Sequence, residues 1–389
     1  MMKVGIDKIG FYTPKWYVDM AKLARARNEE PDKYLIGIGQ TKQAVIPNSQ
    51  DAVTMAANAA DQIVNDDNRK KIDLILFGTE SGIDNSKSAA IYLQRLLGLP
   101  NTIQSVELKQ ACYAMTAGIP LANDHVLAHP DSQVLVVGAD IARYGLHNAG
   151  EPTQGGGAMA VVISANPRIL AIENGSAHYV ADIMDFWRPL YATEALVDGK
   201  YSSKQYIEFF QQTFAQYQKQ HGLEISDLQA LVFHLPYTKM GLKALRAILP
   251  ETDESHANQL LREFEYSRVF NRQVGNLYTG SLYLSLLSLL VNSESLNETQ
   301  KIGLFSYGSG AEGEFYVATV QSNYKQALHE STITNVLSNR EELSIPDYEK
   351  MFKSQMPLSD ADFVTDYEKD SAKFYLAGQK DQQRQYQKR

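Results

Sequence analysis

Cysteine and tryptophan are scarce in this chain of 389 residues, which has one cysteine, Cys112, and two tryptophans. One cysteine excludes a disulfide within the chain and fits a reducing compartment. The first residues lack the apolar core and the cleavage site of a signal peptide, and no apolar run is long enough to span a membrane. The sequence therefore predicts a cytoplasmic protein with no membrane segment.

An excess of positive charge is also missing, since the formal net charge is −8. This balance argues against a general nucleic-acid binder, although a local basic patch would be enough for a small anionic ligand. Hydrophobic residues make up 44% of the chain and charged residues 21%, as in ordinary globular proteins. A chain of this length is expected to divide into two domains or two halves.

Short apolar runs alternate with helical segments along the chain. Three runs lack strict alternation, as strands covered on both faces should: residues 72–77, 134–138 and 231–233. Two more are predicted to be paired strands near the end of each half, at residues 158–163 and 314–320. Helices are predicted near residues 51–64, 86–97, 203–220 and 279–291. This alternation predicts an α/β protein.

The two halves of the chain resemble each other locally. Residues 73–80 and 227–234 each begin with aspartate, continue through apolar residues and end with a protic side chain, Glu80 or His234. The pattern predicts a duplication with halves at residues 1–167 and 168–389, although so short a repeat can also arise by chance. If the repeat is real, Glu80 and His234 end equivalent strands, where open α/β sheets bind ligands.

After about residue 345 the chain becomes charged and polar. We expect a surface extension, partly helical, with no chemistry of its own. The last residues are expected to be disordered.

Small residues surround Cys112 in the segment Ala111-Cys112-Tyr113-Ala114, which is predicted to be a loop entering a helix. A thiol at a helix N-terminus meets unpaired N–H groups, which lower its pKa and favour the thiolate. The alternative is that a lone cysteine is only a small buried apolar residue.

Three more residues are candidates because a cysteine nucleophile needs polar partners. His234 follows an apolar strand and precedes a proline turn, so it is predicted to be exposed at a cleft rather than structural. Asn276 opens a loop before an apolar helix, as an N-cap or as an active-site donor. Ser309 lies in a glycine loop that can direct a backbone N–H toward an oxyanion.

Several motifs together resemble one family. They lie at residues 37–40, 78–81, 111–113, 150–155, 185–189, 197–199, 233–234, 238–241, 275–283 and 305–310. With these motifs the chain resembles the 3-hydroxy-3-methylglutaryl-CoA (HMG-CoA) synthases of the bacterial type, within the thiolase superfamily. The resemblance extends from residue 5 to the helices after residue 320.

The resemblance implies the thiolase fold, with two duplicated α/β halves in a five-layered αβαβα arrangement, and a homodimer. It implies condensation of acetyl-CoA with acetoacetyl-CoA and water to HMG-CoA and CoA, in the mevalonate pathway of isoprenoid biosynthesis. Coenzyme A would enter only as part of the substrates, with no metal and no other cofactor. No nucleic-acid or membrane partner is implied.

The resemblance also implies roles for particular residues. Cys112 would be the acyl-thioester nucleophile, Glu80 the general base and acid, and His234 the partner of the acetoacetyl substrate. The implied substrate-binding residues are Glu30, Thr153, Ser202, Lys239, Lys243, Asn276 and Ser309. Lys239 and Lys243 are four residues apart on a predicted helix and would face the same way, toward CoA or toward solvent.

Two other kinds of protein remain as alternatives. Cys112, His234 and Asn276 would suit a ketoacyl synthase III equally, but decarboxylative condensation needs no general base at Glu80. A β-branching synthase that uses acyl carrier protein would keep Glu80, so only the donor separates it. A thiol redox sensor normally needs a second cysteine, which the chain lacks.

A few positions depart from the family pattern. Gln110 stands where a glutamate is expected, and residues 190–195 differ near the presumed CoA entrance. Local contacts to CoA are therefore expected to differ from those of the family.

Overall fold

The computed structural model describes residues 2–389. Its strands are β1 (Val4–Tyr12), β2 (Trp16–Asp19), β3 (Lys42–Val45), β4 (Ile72–Gly78), β5 (Gln104–Leu108), β6 (Gln133–Ala142), β7 (Gly155–Ala165), β8 (Leu170–Ile172), β9 (Ala177–Val180), β10 (Phe186–Trp187), β11 (Leu196–Val197), β12 (Leu228–Phe233), β13 (Lys301–Gly308), β14 (Glu312–Val320), β15 (Glu341–Glu342), β16 (Phe363–Val364), β17 (Phe374–Lys380) and β18 (Gln383–Lys388).

The α-helices are α1 (Met20–Ala26), α2 (Ala52–Ala60), α3 (Ala89–Leu97), α4 (Ala114–Ala128), α5 (Gly199–His221), α6 (Thr238–Ile248), α7 (Glu254–Ser267), α8 (Asn271–Val274), α9 (Ser281–Asn292), α10 (Tyr324–Ala327), α11 (Glu330–Ser338) and α12 (Ile345–Lys353). A π-helix spans Lys33–Ile38, and short 3-10 turns include Glu151–Thr153 and Tyr278–Gly280. The predicted α/β class is confirmed.

One ten-stranded mixed sheet forms the centre of the molecule, in the order β12-β13-β14-β8-β1-β7-β6-β4-β5, with β9 beside β14. The strand order β4-β6-β7-β1 mirrors β12-β13-β14-β8, and the first two strands of each set are parallel. β1 and β8 join the two sets, and a Cβ at Gly5 would lie 2.1 Å from the carbonyl oxygen of Leu170. The domain boundary at residues 167 and 168 lies between β7 and β8 and stays a prediction.

Two helices start at the edge of the sheet where the parallel strands end. α4 packs on β4 and β6, and α9 packs on β12 and β13. α9 is buried from Ser281 to Leu290 because nearly all of its residues are leucine, serine or tyrosine, so it presents no strongly polar face. The loops that precede these helices carry Cys112 and Asn276.

The prediction for the C-terminal segment is wrong beyond α12. Strands β16, β17 and β18 form a separate sheet that folds back on α2. Phe374 is fully buried, and Tyr386 is buried and donates its hydroxyl to Asp51 Oδ2 at 2.5 Å. A few apolar side chains are enough to bury the segment, namely Phe374, Tyr375 and Leu376 on β17 and Tyr386 on β18, and the polar residues around them conceal the strands.

Within residues 2–389, no helix has both the length and the apolar character that a membrane crossing requires.

Candidate active site

Cys112 and Glu80 are in direct contact. The thiol of Cys112 donates to Glu80 Oε1, with a distance of 3.3 Å between Sγ and Oε1. Glu80 follows β4, and α4 lies so close to the end of this strand that a Cβ at Gly78 would be 2.4 Å from Met115 N. Only glycine at this strand end allows the helix and the carboxylate to meet at the thiol.

The two groups hold protons more tightly than they would in water. Burial and the nearby Asp140 raise the pKa of Glu80 from 4.5 to about 8, although Arg188 and the bond from Cys112 oppose this rise. Burial is the larger cause, and the nearby Glu80 the second, of a rise in the pKa of Cys112 well above 9.0. The expectation of a lowered thiol pKa is therefore wrong. Cys112 lies just outside α4, whose N-cap is Tyr113, and burial beside a carboxylate outweighs the helix dipole.

Asp140, at the end of β6, holds the loop that carries Glu80. Its Oδ1 accepts from Thr79 Oγ1 at 2.9 Å, Glu80 N at 2.8 Å and Ser81 N at 2.9 Å. Its Oδ2 accepts from Thr279 N at 3.1 Å and Thr279 Oγ1 at 2.6 Å. One buried carboxylate thus joins the Glu80 loop to the turn before α9. Sequence reasoning missed Asp140, although a lone acidic residue ending an apolar strand was the available signal.

Arg188 is the second residue that sequence reasoning left without a role. It follows β10, and its side chain is 19% exposed. The guanidinium Nη2 donates to the backbone oxygen of Glu80 and lies 4.0 Å from Glu80 Oε2. Arg188 belongs to a motif of the resemblance, at residues 185–189, but nothing local in the sequence pairs it with Glu80.

Three aromatic side chains pack around the thiol. Phe186, Tyr144 and Tyr278 meet edge to face, with ring centroids 6.0–6.2 Å apart, and form one apolar cluster with Cys112 and Ala142. These three rings form an apolar wall that makes the surroundings of Cys112 largely apolar, apart from the carboxyl group of Glu80.

His234 directly follows β12 and is 2% exposed. Its backbone N–H donates to Phe305 O at 2.9 Å, and its carbonyl accepts from Tyr206 OH at 2.6 Å. Burial lowers the pKa of its imidazole to about 3, so the ring is neutral at physiological pH. Within residues 2–389, its Nδ1 has no hydrogen-bond partner. The prediction of an exposed histidine is wrong, because the residue is almost fully buried where β12 ends.

β12, the strand before His234, is linked to the loop of Cys112 through the neighbouring strand β13. A Cβ at Gly308, the last residue of β13, would lie 2.6 Å from Gln110 O and from Tyr113 Cβ. Gln110 Nε2 also donates to Ser309 O at 3.3 Å. The glycine loop and the nucleophile loop therefore pack together.

Asn276 has the capping role expected from its sequence position, and its role as an active-site donor stays a prediction. Its Oδ1 accepts from Tyr278 N at 2.8 Å and Ser281 Oγ at 3.0 Å, which caps the turn before α9. Its Nδ2 is buried without a hydrogen-bond partner in the part of the chain that the structure describes. A buried donor left free in this way is available to a ligand carbonyl.

Ser202 and the glycine loop that carries Ser309 both contact Asp185. Asp185 is fully buried, and it accepts from Ser202 Oγ at 3.0 Å and from Gly310 N at 2.9 Å. The N–H of Gly310 is thus already used, and only another group of this glycine loop could serve an oxyanion.

The remaining candidates lie on neighbouring elements. Glu30 is exposed before the π-helix, and Thr153 ends the turn after Gly150 with its hydroxyl on Gly150 O at 2.9 Å. Lys239 is half-buried on α6, and Lys243 is exposed with Nζ 3.2 Å from Tyr237 OH. The elements themselves are in contact, since the π-helix Lys33–Ile38 packs on the turn Glu151–Thr153 and on α6.

Among the described residues, no group of three or more His, Cys, Asp or Glu side chains is arranged to hold a metal ion.

Comparisons with known proteins agree on one family. The family model described as "Hydroxymethylglutaryl-coenzyme A synthase N terminal" matches residues 1–168, and the one for the C terminal matches residues 170–265 and 255–389. The hydroxymethylglutaryl-CoA synthase of Enterococcus faecalis is 50% identical over 351 residues, or 90% of this chain and 92% of that protein. The polyketide 3-hydroxy-3-methylglutaryl-ACP synthase PksG of Bacillus subtilis (strain 168) is 30% identical, over 91% of this chain and 89% of its own length.

Solved structures give the same result. An HMG-CoA synthase complexed with CoA matches with a TM-score of 0.97 and 39% identity, over all of both chains. MvaS in complex with 3-hydroxy-3-methylglutaryl coenzyme A matches with a TM-score of 0.88 and 34% identity, over 100% of this chain and 99% of the other.

Proposed function

The chain belongs to the hydroxymethylglutaryl-CoA synthase family, and we propose that Cys112, Glu80 and His234 carry out its reaction. It has the thiolase fold and is an acyl-transferring enzyme. It condenses acetyl-CoA with acetoacetyl-CoA and water to HMG-CoA and CoA, in the mevalonate pathway. The observation that carries the residue assignment is the contact between Cys112 Sγ and Glu80 Oε1 at 3.3 Å.

In the first step, Cys112 attacks the thioester carbonyl of acetyl-CoA. The carbon–sulfur bond to CoA breaks, CoA leaves as the thiol, and an acetyl thioester remains on Cys112. The proton that leaves the Cys112 thiol is accounted for by the CoA thiol that departs, so this step consumes no net proton. The apolar wall of Phe186, Tyr144 and Tyr278 keeps the surroundings poor in water during this step.

In the second step, Glu80 removes a methyl proton from the acetyl group. The resulting enolate attacks the ketone carbon of acetoacetyl-CoA and forms the new carbon–carbon bond. A carboxyl group with a pKa of about 8 suits both tasks, since it can take the methyl proton as a base and return it to the alkoxide as an acid. Water then cleaves the Cys112 thioester and releases HMG-CoA.

His234 acts on the acceptor substrate as a neutral ring. Because its pKa is about 3, the imidazolium form that could transfer a proton is scarce at neutral pH. The N–H of the neutral ring can still donate a hydrogen bond to a carbonyl. Its unpartnered Nδ1 and the free Nδ2 of Asn276 are suited to hold the ketone and thioester oxygens of acetoacetyl-CoA. Glu80 therefore supplies the proton, and His234 orients and polarises the ketone.

Seven residues are proposed to bind the two substrates: Glu30, Thr153, Ser202, Lys239, Lys243, Asn276 and Ser309. Lys239 and Lys243 offer charge to the CoA phosphates, and Asp185 holds both Ser202 Oγ and the N–H of Gly310, the residue after Ser309. No cofactor beyond the CoA of the substrates takes part in this proposal.

A homodimer in the cytoplasm completes the proposal. β5 is the last strand of the large sheet, and Val106 on it is 45% exposed, so one backbone edge is open to a second copy. The one free thiol that must stay reduced for catalysis suits the cytoplasm. Light scattering on the purified protein and cell fractionation test these two points.

The central experiment separates the half-reactions in Glu80→Gln. Condensation should fall by about 10²–10⁴-fold, because the amide cannot take the methyl proton. Acetylation of Cys112 should persist, since Glu80 raises the pKa of this thiol and its neutral replacement favours the thiolate. Trapped acetyl-enzyme and HMG-CoA are both quantified by mass spectrometry.

Cys112→Ser is the control, because it should retain no acetyl thioester. Near-normal condensation in Glu80→Gln would refute the assignment of Glu80 and reopen the ketoacyl synthase alternative. A parallel assay offers the acetyl group on acyl carrier protein. Faster acetyl transfer from the carrier protein than from CoA would support the β-branching alternative.

A further inference from the structure

We infer that the buried ion pair between Arg27 and Glu151 positions the acetoacetyl-CoA side of the site. Neither residue faces Cys112, so both act through the residues that they hold. The inference rests on the proposed function, because it concerns how Glu30, Thr153 and Lys239 are placed for the second substrate.

The pair has the geometry of a rigid clamp. Arg27 Nε donates to Glu151 Oε2 at 2.8 Å, and Nη2 donates to Oε1 at 2.7 Å, so the guanidinium and the carboxylate meet in a fork. The Arg27 side chain is 9% exposed and that of Glu151 is 1% exposed. Tyr348 OH also donates to Glu151 Oε1 at 3.1 Å, and His147 N donates to Oε2 at 2.8 Å.

Each partner is close in sequence to a substrate candidate. Arg27 caps the end of α1, and Glu30 follows three residues later. Glu151 begins the 3-10 turn that Thr153 ends, and Gln43 Nε2 fixes Glu151 O at 2.8 Å. A bidentate pair at this place therefore sets the distance between the two segments.

The π-helix Lys33–Ile38 extends the effect to α6. It packs on the turn Glu151–Thr153 and on α6, which carries Lys239. Thr238 Oγ1 donates to Gly39 O at 2.5 Å, and a Cβ at Gly39 would lie only 2.2 Å from this hydroxyl oxygen. Because Gly39 has a φ of +85°, glycine is required here, and the close approach fixes the segment after Glu30 against α6.

A second path runs from the pair toward Asn276. Gln154 Nε2 donates to Tyr348 OH at 3.2 Å, and Gln154 O accepts from Asn276 N at 3.3 Å. Buried charges are expensive, and apolar residues often replace them without loss of stability, so a pair kept at this place indicates a demand for geometry.

The test compares the two half-reactions in the full-length enzyme. Arg27→Met and the double variant Arg27→Met/Glu151→Gln remove the clamp. The double variant removes both charges of the buried pair and leaves only Glu349 without its arginine partner, a carboxylate that Arg27 Nη2 contacts at 2.8 Å and whose side chain is 23% exposed. We expect wild-type acetylation of Cys112 from acetyl-CoA and a rise of at least about tenfold in the KM for acetoacetyl-CoA, because a displacement of about 1 Å is enough for such losses. Arg27→Lys keeps the charge without the fork and should show a smaller rise.

Lys22→Met is the matched control. Lys22 lies on the same helix and pairs with Glu342 at the surface, where its side chain is 61% exposed, so its loss should leave both half-reactions unchanged. The inference is overturned if the KM for acetoacetyl-CoA stays within about twofold of wild type, or if acetylation falls in parallel with condensation. Failure of the wild-type enzyme to form HMG-CoA would instead overturn the proposed function.

Discussion

Two charged neighbours act on the Glu80 carboxyl in opposite directions. Asp140 raises its pKa, and Arg188, 4.0 Å from Oε2, lowers it. In the proposed mechanism Glu80 must be ionised to take the methyl proton, so these neighbours are expected to set the pH range in which condensation is fast.

Replacing Arg188 with glutamine should move this range upward. Without the guanidinium, the pKa of Glu80 rises above 8, so a smaller fraction of Glu80 is ionised at pH 7. The acid limb of kcat/KM for condensation is therefore expected to shift to higher pH, and the rate at pH 7 to fall several-fold. Arg188→Lys retains the positive charge and serves as the control, and an unchanged acid limb in Arg188→Gln would contradict the prediction.

The same carboxyl should reduce the stability of the protein at high pH. Its pKa is about 8 in the folded chain and 4.5 without the fold, so folding favours the protonated form. The stabilisation is complete below pH 4.5, declines as the pH rises toward 8 and is lost above it. The free energy of unfolding of Glu80→Gln, measured relative to wild type, should therefore increase by ~4–5 kcal/mol as the pH rises from 4.5 to about 8. Denaturant unfolding from pH 5 to about 9 measures it, and a constant difference would contradict it.

At the residue scale, the sequence predicted which side chains matter better than it predicted their state. Glu80 and Cys112 were identified from strand ends and motifs, and they lie in contact. The burial of His234 and the raised pKa of Cys112 could not be predicted, because they depend on packing from distant segments. Asp140 and Arg188 were missed because their partners are 60 and 108 residues away in sequence.

At the scale of elements, Asp140 ties three of them together. It ends β6, holds the loop after β4 and accepts both hydrogen bonds from Thr279 before α9. The two mirrored sets of strands therefore share one buried polar junction beside the nucleophile.

Asp140→Asn should weaken this junction and also change the pH profile. An amide cannot accept from all five donors, and unsatisfied buried groups cost roughly 1–3 kcal/mol. Loss of the negative charge lowers the pKa of Glu80, so the acid limb should move to lower pH, opposite to Arg188→Gln. Thr279→Ser, which keeps the hydroxyl, should change little. An upward shift of the acid limb in Asp140→Asn would contradict this explanation.

At the scale of the whole molecule, the C-terminal segment completes the N-terminal half. β17 packs on α2, and Phe374 O accepts from Asn58 Nδ2 at 2.9 Å. Asp51, the N-cap of α2, accepts from Arg384 Nη1 at 2.6 Å and from Tyr386 OH at 2.5 Å.

Phe374→Ala should therefore destabilise the fold by about 3–5 kcal/mol, the usual loss for a fully buried phenylalanine. Val364→Ala on β16 is the matched control, since Val364 is 76% exposed and should have little effect. The melting temperatures of the two variants measure the difference. Equal temperatures would mean that this sheet contributes nothing to the core.

The overall architecture followed from simple patterns, whereas the C-terminal sheet did not. Continuous apolar runs identified β4, β6 and β12 because strands buried on both faces need no polar residues. β17 buries Phe374, Tyr375 and Leu376 before it becomes polar, and β18 buries only Tyr386 among glutamine, lysine and arginine. Such a segment resembles a solvated tail until its partner, α2, is known.

Trp187 lies in β10, half-buried, and directly precedes Arg188. The other tryptophan, Trp16, packs in a separate cluster with Tyr34 and Tyr348. A Trp16→Phe chain therefore holds a single indole, on the residue next to Arg188, whose guanidinium lies 4.0 Å from Glu80 Oε2. Its fluorescence gives the enzyme a built-in optical reporter, by which acylation and acceptor docking can be timed separately in a stopped-flow instrument without any dye.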